Sequence, residues 1–215
     1  LIYPPTLGKI VMTKILHIIA SPRGHESKSR TLATTYINAR LEKDPSITID
    51  TLDLWHEKLP EFSGDQASAK MTFFGVGEMN NSLKTVWDEV VEIISRFTSA
   101  DEIVVSVPMW NGSIPYKLKH YIDIITQPGL LFGFDPESGY SGLLASKKAT
   151  VFYTSGVFSP GANEKYGTNF HSTYLAWWFD MIGINEVKAV RFQPSLLTGS
   201  PEEDFNNALV RASAV

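Results

Sequence analysis

The chain has 215 residues, enough for one sizeable domain burying about 70 % of the surface its unfolded form exposes. Nineteen Lys plus Arg stand against twenty-three Asp plus Glu, a formal charge of -4, without the basic excess that nucleic-acid backbones attract, so no nucleic-acid partner is expected. Cysteine is absent, which excludes disulfides, thiolate metal sites, iron-sulfur clusters and a cysteine nucleophile together.

No apolar run approaches the ~20 residues of a membrane span, so a soluble, cytoplasmic protein with no membrane partner is expected. Residues 1–11, interrupted by Pro4-Pro5, do not read as a signal peptide. They are expected to be a scar or disordered arm outside the fold, with Met12 as the native start and 12–215 as a single domain.

From Met12 onward, short β-rich runs alternate with helical periodicity. Ile15 to Ala20, Ile103 to Val107 and Thr150 to Tyr153 are nearly continuous apolar runs, as expected of parallel strands covered on both faces. Ile47 to Leu54 and Val187 to Phe192 are more polar and read as edge strands. Leu32, Tyr36 and Ile37 mark a helix after the first strand. Leu83, Val86, Trp87, Val90, Ile94 and Phe97 share one face of another. Leu118, Tyr121, Ile122 and Ile125 follow the third strand, and Phe170, Tyr174, Trp178 and Met181 the fourth. A last helix is expected to open with a capping box from Ser200 to Glu203. The pattern predicts an α/β, doubly wound, five-stranded parallel sheet of flavodoxin-like order 2-1-3-4-5 with helices on both faces and a crevice at the carboxyl ends of strands one and three. Insertions at Trp55 to Asn80 and Thr126 to Lys148 are expected to be functional loops.

The loop after strand one, Ser21-Pro22-Arg23-Gly24-His25-Glu26-Ser27-Lys28-Ser29, opens directly into a helix. Helix N–H groups and serine hydroxyls suit a phosphate monoester; a Ser-rich loop with Ser27 as an ordinary cap is the plainer reading. The P-loop and G-x-G-x-x-G patterns are both missing. After strand three, Pro108-Met109-Trp110-Asn111-Gly112 offers a flat apolar wall and backbone N–H groups for a planar heteroaromatic ring, or a mere tight turn.

These loops, with Phe97 to Val104 leading into Pro108-Met109-Trp110-Asn111, Gly129-Leu130-Leu131-Phe132 and Gly142-Leu143-Leu144, resemble the FMN-dependent NADH:azoreductase and quinone reductase family from about Lys14 to Ile184. The resemblance implies an FMN phosphate loop at Ser21, Ser27, Lys28 and Ser29, and a ring loop at Pro108, Met109, Trp110, Asn111 and Gly112. It implies a third flavin loop at Ser155, Gly156, Val157 and Phe158. Trp110 and Gly112 stand where the family usually has Tyr and Phe, and the third loop shares only its Ser and a displaced glycine. Phe132, Tyr166 and His171 are candidate pocket residues, although a packing role for His171 competes. The implied activity is ping-pong transfer of two electrons from NADH or NADPH, through flavin N5, to a quinone or azo compound. No catalytic side chain and no metal are called for. A homodimer is implied, supported by surplus apolar residues on the Trp87 and Trp177-Trp178 helices. The alternatives are a flavodoxin-type FMN electron carrier serving a protein partner, and a phosphodiesterase, which would need a metal or paired carboxylates at the crevice.

Overall fold

The computed structural model describes residues 12–215; the expectations for residues 1–11 lie outside the described residues. Five parallel strands form the central sheet: β1 (Lys14–Ile19), β2 (Thr48–Asp53), β3 (Glu102–Pro108), β6 (Lys148–Thr154) and β7 (Glu186–Phe192), ordered β2-β1-β3-β6-β7. The middle strands β1, β3 and β6 are buried almost throughout, whereas β2 and β7 carry exposed positions. Their residues alternate between two apolar layers.

Ile15, Val104 and Phe152 face helices α1 (Lys28–Lys43) and α6 (Pro201–Ala214), where Leu32, Tyr36, Ala208 and Ala212 are buried. Leu16, Ile103, Val105 and Val151 face the opposite way, onto α3 (Asn81–Thr98), α4 (Tyr116–Ile125) and α5 (Ser172–Met181). The chain thus leaves β1 toward one face and β3 toward the other.

The numbering 2-1-3-4-5 does not carry over, because a two-stranded hairpin, β4 (Phe132–Asp135) and β5 (Gly139–Gly142), interrupts the chain before β6. Its turn is held by Asp135, whose Oδ1 accepts from the N–H groups of Glu137 at 3.0 Å and Ser138 at 2.8 Å. The other insertion contains helix α2 (Gly64–Thr72). Gln66 Oε1 accepts from the Ser63 N–H at 3.1 Å and the Ser63 hydroxyl at 2.7 Å, which fixes the start of α2. At α6 the expected Ser200 box does not form. The Ser200 hydroxyl accepts no cap hydrogen bond; the Thr198 hydroxyl instead donates to Asp204 and accepts from the Ser200 N–H. On α5 the buried side is Leu175, Trp178 and Phe179; Tyr174 and Met181 are half-buried and Phe170 lies exposed before the helix.

Polar groups inside the sheet are paired. Glu102 at the start of β3 accepts from Tyr36 and from Arg40 Nη1 at 2.6 Å, so its carboxylate is compensated rather than stranded. Arg96 on α3 clasps Asp50 of β2 through Nη2–Oδ1 at 2.7 Å and Nε–Oδ2 at 3.1 Å, a bidentate pair that fixes the edge strand to its helix.

The hairpin is seated by backbone. Leu144 N–H donates to the Ile182 carbonyl at 3.0 Å, and a Cβ added at Gly142 would meet Gly183 N at 2.0 Å. Gly142→Ala therefore forces the hairpin off the end of α5 and is expected to destabilise the protein by at least about 2 kcal/mol. Gly64→Ala, where nothing lies within 4 Å, serves as the control. Urea unfolding of both variants checks this; equal stabilities would show that the contact is readily relieved.

Candidate functional site

Because β1, β3 and β6 are parallel neighbours, the loops that follow them emerge side by side at one edge of the sheet. The Ala20 N–H donates to the Ser106 carbonyl at 3.0 Å, and the Met109 N–H to the Thr154 carbonyl at 2.7 Å, tying each loop to the next strand.

In the first loop Ser21, Ser27 and Ser29 are all buried. Ser27 is the N-cap of α1: its Oγ accepts from the Arg30 N–H at 3.3 Å and lies 3.2 Å from the Ser29 Oγ. The cap reading and the phosphate reading thus coincide on one residue. Among the described residues the N–H groups of Lys28 and Ser29 have no protein acceptor, so hydroxyls and helix-end N–H groups share one surface suited to a phosphate. Lys28 belongs to that surface by its backbone alone, since its ammonium lies 4.2 Å over the Phe205 ring on α6.

The second loop is a two-residue hairpin turn. Trp110 and Ser113 exchange backbone hydrogen bonds of 2.8 and 2.9 Å, while Asn111 and Gly112 take φ of 49° and 79°. Asn-Gly is the pair that tolerates two successive positive φ angles. A Cβ at Gly112 would lie 3.1 Å from the Thr168 carbonyl, so position 112 admits no side chain without movement of that segment. Among the described residues the Asn111 and Gly112 N–H groups also have no protein acceptor. They are free to bond the polar edge of a planar ring.

The third loop is drawn inward. The Ser155 hydroxyl donates to the Phe158 carbonyl, Phe158 is buried, Val157 is exposed, and the Ser155 and Gly156 carbonyls accept from the N–H groups of Ser195 and Leu196, each at 2.8 Å.

A cleft of about 860 Å³ opens beside Trp110, Asn111 and Ser113 and runs over α4 between Phe62, Lys70 and Tyr174. None of Ser21, Ser27 or Ser29 lines it, so it adjoins the ring loop rather than the phosphate loop. Burial lowers the pKa of Lys70 in its wall, against the opposing pull of Asp123, and burial with the Asp123 charge raises Tyr174 to about 12.

The three candidate pocket residues do not meet there. Phe132 sits on the β4 hairpin, which packs where α5 ends and β7 begins, at the opposite end of the sheet; its ring lies edge-on to Tyr140 at 5.4 Å. Tyr166 is on the long loop after β6, partly exposed, with Lys165 over its ring. His171 is fully buried at the start of α5, edge-on to Tyr153 at 4.9 Å, and does not line this cleft. A residue the sequence reading missed is Trp55, whose ring stands 5.6 Å from Trp110. The aromatic identity was visible, but nothing in the spacing placed it beside position 110.

A family model described as flavodoxin-like fold matches residues 13–215, which sets the class. An FMN-dependent NADH:quinone oxidoreductase of Ruegeria pomeroyi is 60% identical, over 94% of this chain and 100% of its own. One of the same name from Desulfotalea psychrophila is 43% identical over 89% and 90%. Among solved structures, an FMN-dependent NADH-azoreductase from Bacillus anthracis in complex with FMN superposes with a TM-score of 0.83 at 26% identity, covering 94% of this chain and 97% of that one. The chain belongs to the flavodoxin-like family and, within it, to the family of these FMN-dependent NADH:quinone oxidoreductases.

Two buried histidines give the fold a pH signature. His17 on β1, 3.2 Å from the Ser106 hydroxyl, is pushed from 6.5 down to about 4 by burial and the Arg30 charge, with Asp53 opposing. His171 is likewise held at about 4 by burial and Arg191, against a smaller pull from the Val107 carbonyl. The unfolded chain therefore takes up these protons first. Stability is fully present above pH 6.5 and falls as pH drops from there toward 4, by up to about 1.4 kcal/mol per pH unit for each histidine. Urea unfolding at pH 7, 6 and 5 should show this fall, and His171→Gln should make it shallower. A flat profile would refute it.

Proposed function

We propose that this chain is an FMN-dependent oxidoreductase that carries two electrons from NADH to quinones. The observation that carries the reading is the pairing, at the carboxyl ends of adjacent strands, of buried Ser27 and Ser29 at the head of α1 with the unbonded N–H groups of the Asn111-Gly112 turn. One suits a phosphate and the other a ring edge. When bound, FMN supplies the redox chemistry, and the protein's contribution is binding, orientation and electrostatics. Ser21, Ser27 and Ser29 with the Lys28 and Ser29 N–H groups hold the phosphate. Met109 and Trp110 wall the ring, and Asn111 and Gly112 hold its polar edge. Ser155 to Phe158 close the third side through backbone groups.

NADPH as a further donor, azo compounds as further acceptors and a cytoplasmic location belong to the same proposal. Donor and acceptor share the cleft beside Trp110 in turn. The electron-carrier alternative lacks support from the loops: α2 and the segments around it build one wall of a cleft large enough for a small molecule.

FMN titration of the purified protein, followed by NADH addition and steady-state kinetics, tests this. Wild type should bind FMN stoichiometrically, bleach with NADH, and give parallel double-reciprocal lines with a quinone. Ser27→Ala with Ser29→Ala should weaken FMN by about 1 to 3 kcal/mol in total. A protein that cannot be loaded with FMN ends the reading, intersecting lines end the shared cleft, and an unchanged affinity in the double variant moves the phosphate elsewhere.

The working unit is a homodimer. Trp87 and Trp178 are spent in the core, but Tyr116, Phe170 and Trp177 near the cleft, and Phe73, Phe74 and Met79 beyond α2, are exposed. An apolar surface of this kind is what a two-fold interface covers. Light scattering at micromolar concentration should give twice the chain mass; the mass of a single chain with full activity would refute it.

A further inference from the structure

Trp55 stands in the loop that follows β2, and nothing in the proposed electron transfer uses it. Its position is nevertheless fixed from several directions. Asp53 Oδ1 accepts from the Trp55 N–H at 3.1 Å, and the Asp53 carbonyl accepts from the His56 N–H at 3.0 Å, so the turn out of β2 is pinned by a single residue. The indole Nε1–H donates to the Ala20 carbonyl at 3.0 Å, immediately before Ser21 in the phosphate loop. The ring packs against Trp110 at 5.6 Å and, edge-on, against Tyr116 at 5.5 Å; Trp110 and Tyr116 are themselves 6.4 Å apart. One side chain thus touches both the strand-one loop and the ring loop, the two segments that the FMN reading assigns to opposite ends of the flavin.

We infer that Trp55 is a positioning residue that holds the phosphate loop and the Trp110 wall in register, so that its indole N–H governs flavin affinity and its ring governs the shape of the acceptor site. The inference rests on the FMN reading. It divides the role between two parts of one side chain. The N–H anchors the Ala20 carbonyl and hence the approach to Ser21. The aromatic face keeps Trp110 from swinging over a turn that has no side chain at Gly112 to restrain it. Tyr116 alone is a poor substitute, since it is largely exposed.

The test separates those parts. Trp55→Ala removes both, and Trp55→Phe keeps a ring but removes the donor. In FMN titrations both variants should bind about five- to tenfold more weakly, the loss of roughly one hydrogen bond. With FMN saturating, Trp55→Ala should raise the quinone KM about fivefold or more while kcat changes much less, and Trp55→Phe should restore KM most of the way to wild type. The circular dichroism of the bound flavin should change in Trp55→Ala, reporting a shifted Trp110. The inference is overturned if folded Trp55→Ala keeps both FMN affinity and quinone KM, if kcat falls with thermal stability while KM is unchanged, or if Trp55→Phe is as impaired in KM as Trp55→Ala. Should Trp55→Ala not fold, an unchanged FMN affinity in Trp55→Phe is sufficient to overturn it. A wild-type protein that binds no FMN would instead refute the functional reading itself.

Discussion

The site depends on one topological constraint: β1 and β3 are parallel neighbours whose following helices go to opposite faces of the sheet. A right-handed crossover on each side leaves the two loops diverging above a shared gap, and that gap is where an open α/β sheet binds ligand. Everything else at this edge is a consequence of the gap. The head of α1 points its N–H groups into it from one side, and the Asn111-Gly112 turn does so from the other. The Ala20 to Ser106 hydrogen bond keeps the two from separating.

Keeping that gap open requires a sheet that does not flex, and the buried polar groups supply this at both ends. Near the loops, His17 and Ser106 pair across β1 and β3. At the far edge, Glu102 gathers Tyr36 and Arg40 from α1, so the helix whose head forms the phosphate surface is anchored at a second point along its length. A partly satisfied network here would be worse than an apolar one; with the carboxylate bonded by both partners it fixes the rotation of α1 and therefore the direction of Ser27 and Ser29.

The sequence displayed the central strands plainly because burial on both faces leaves no room for alternation, as in Ile103 to Val107. It displayed α3 because six residues from Leu83 to Phe97 keep one face. The two insertions were harder to read. The hairpin is short, and its stability comes from the backbone contact between Gly142 and Gly183, 41 positions apart, which no local pattern encodes. α2 carried a local signal, Ser63 with Gln66, but in a segment too polar to show a strong apolar face. At the site, the serine loop and the Asn-Gly turn were legible because their chemistry is local. The distance of Phe132 from this cleft was not legible, because proximity to the crevice depends on which end of the sheet a loop leaves from: α4 runs antiparallel to β3, so whatever follows it emerges at the far edge. The burial of His171 against Tyr153 was likewise not legible, because it depends on how the chain enters α5 at Ser172.

The exchange of residues at the ring loop also has a physical logic. The family resemblance places Tyr and Phe where this chain has Trp110 and Gly112. With φ of 79° and the Thr168 carbonyl 3.1 Å from where a Cβ would stand, glycine at position 112 permits a close approach of backbone. The gain is visible in the Phe170 N–H, which donates to the Gly112 carbonyl at 2.9 Å and brings the segment before α5 against the turn. The indole at 110 stands on a turn closed by two backbone hydrogen bonds, where no side chain at 112 packs beside it. The Trp55 and Tyr116 rings stand 5.6 and 6.4 Å from it. The shape of the wall is thus set jointly by Trp55, Trp110 and Gly112, and altering one of them should change what the others can hold.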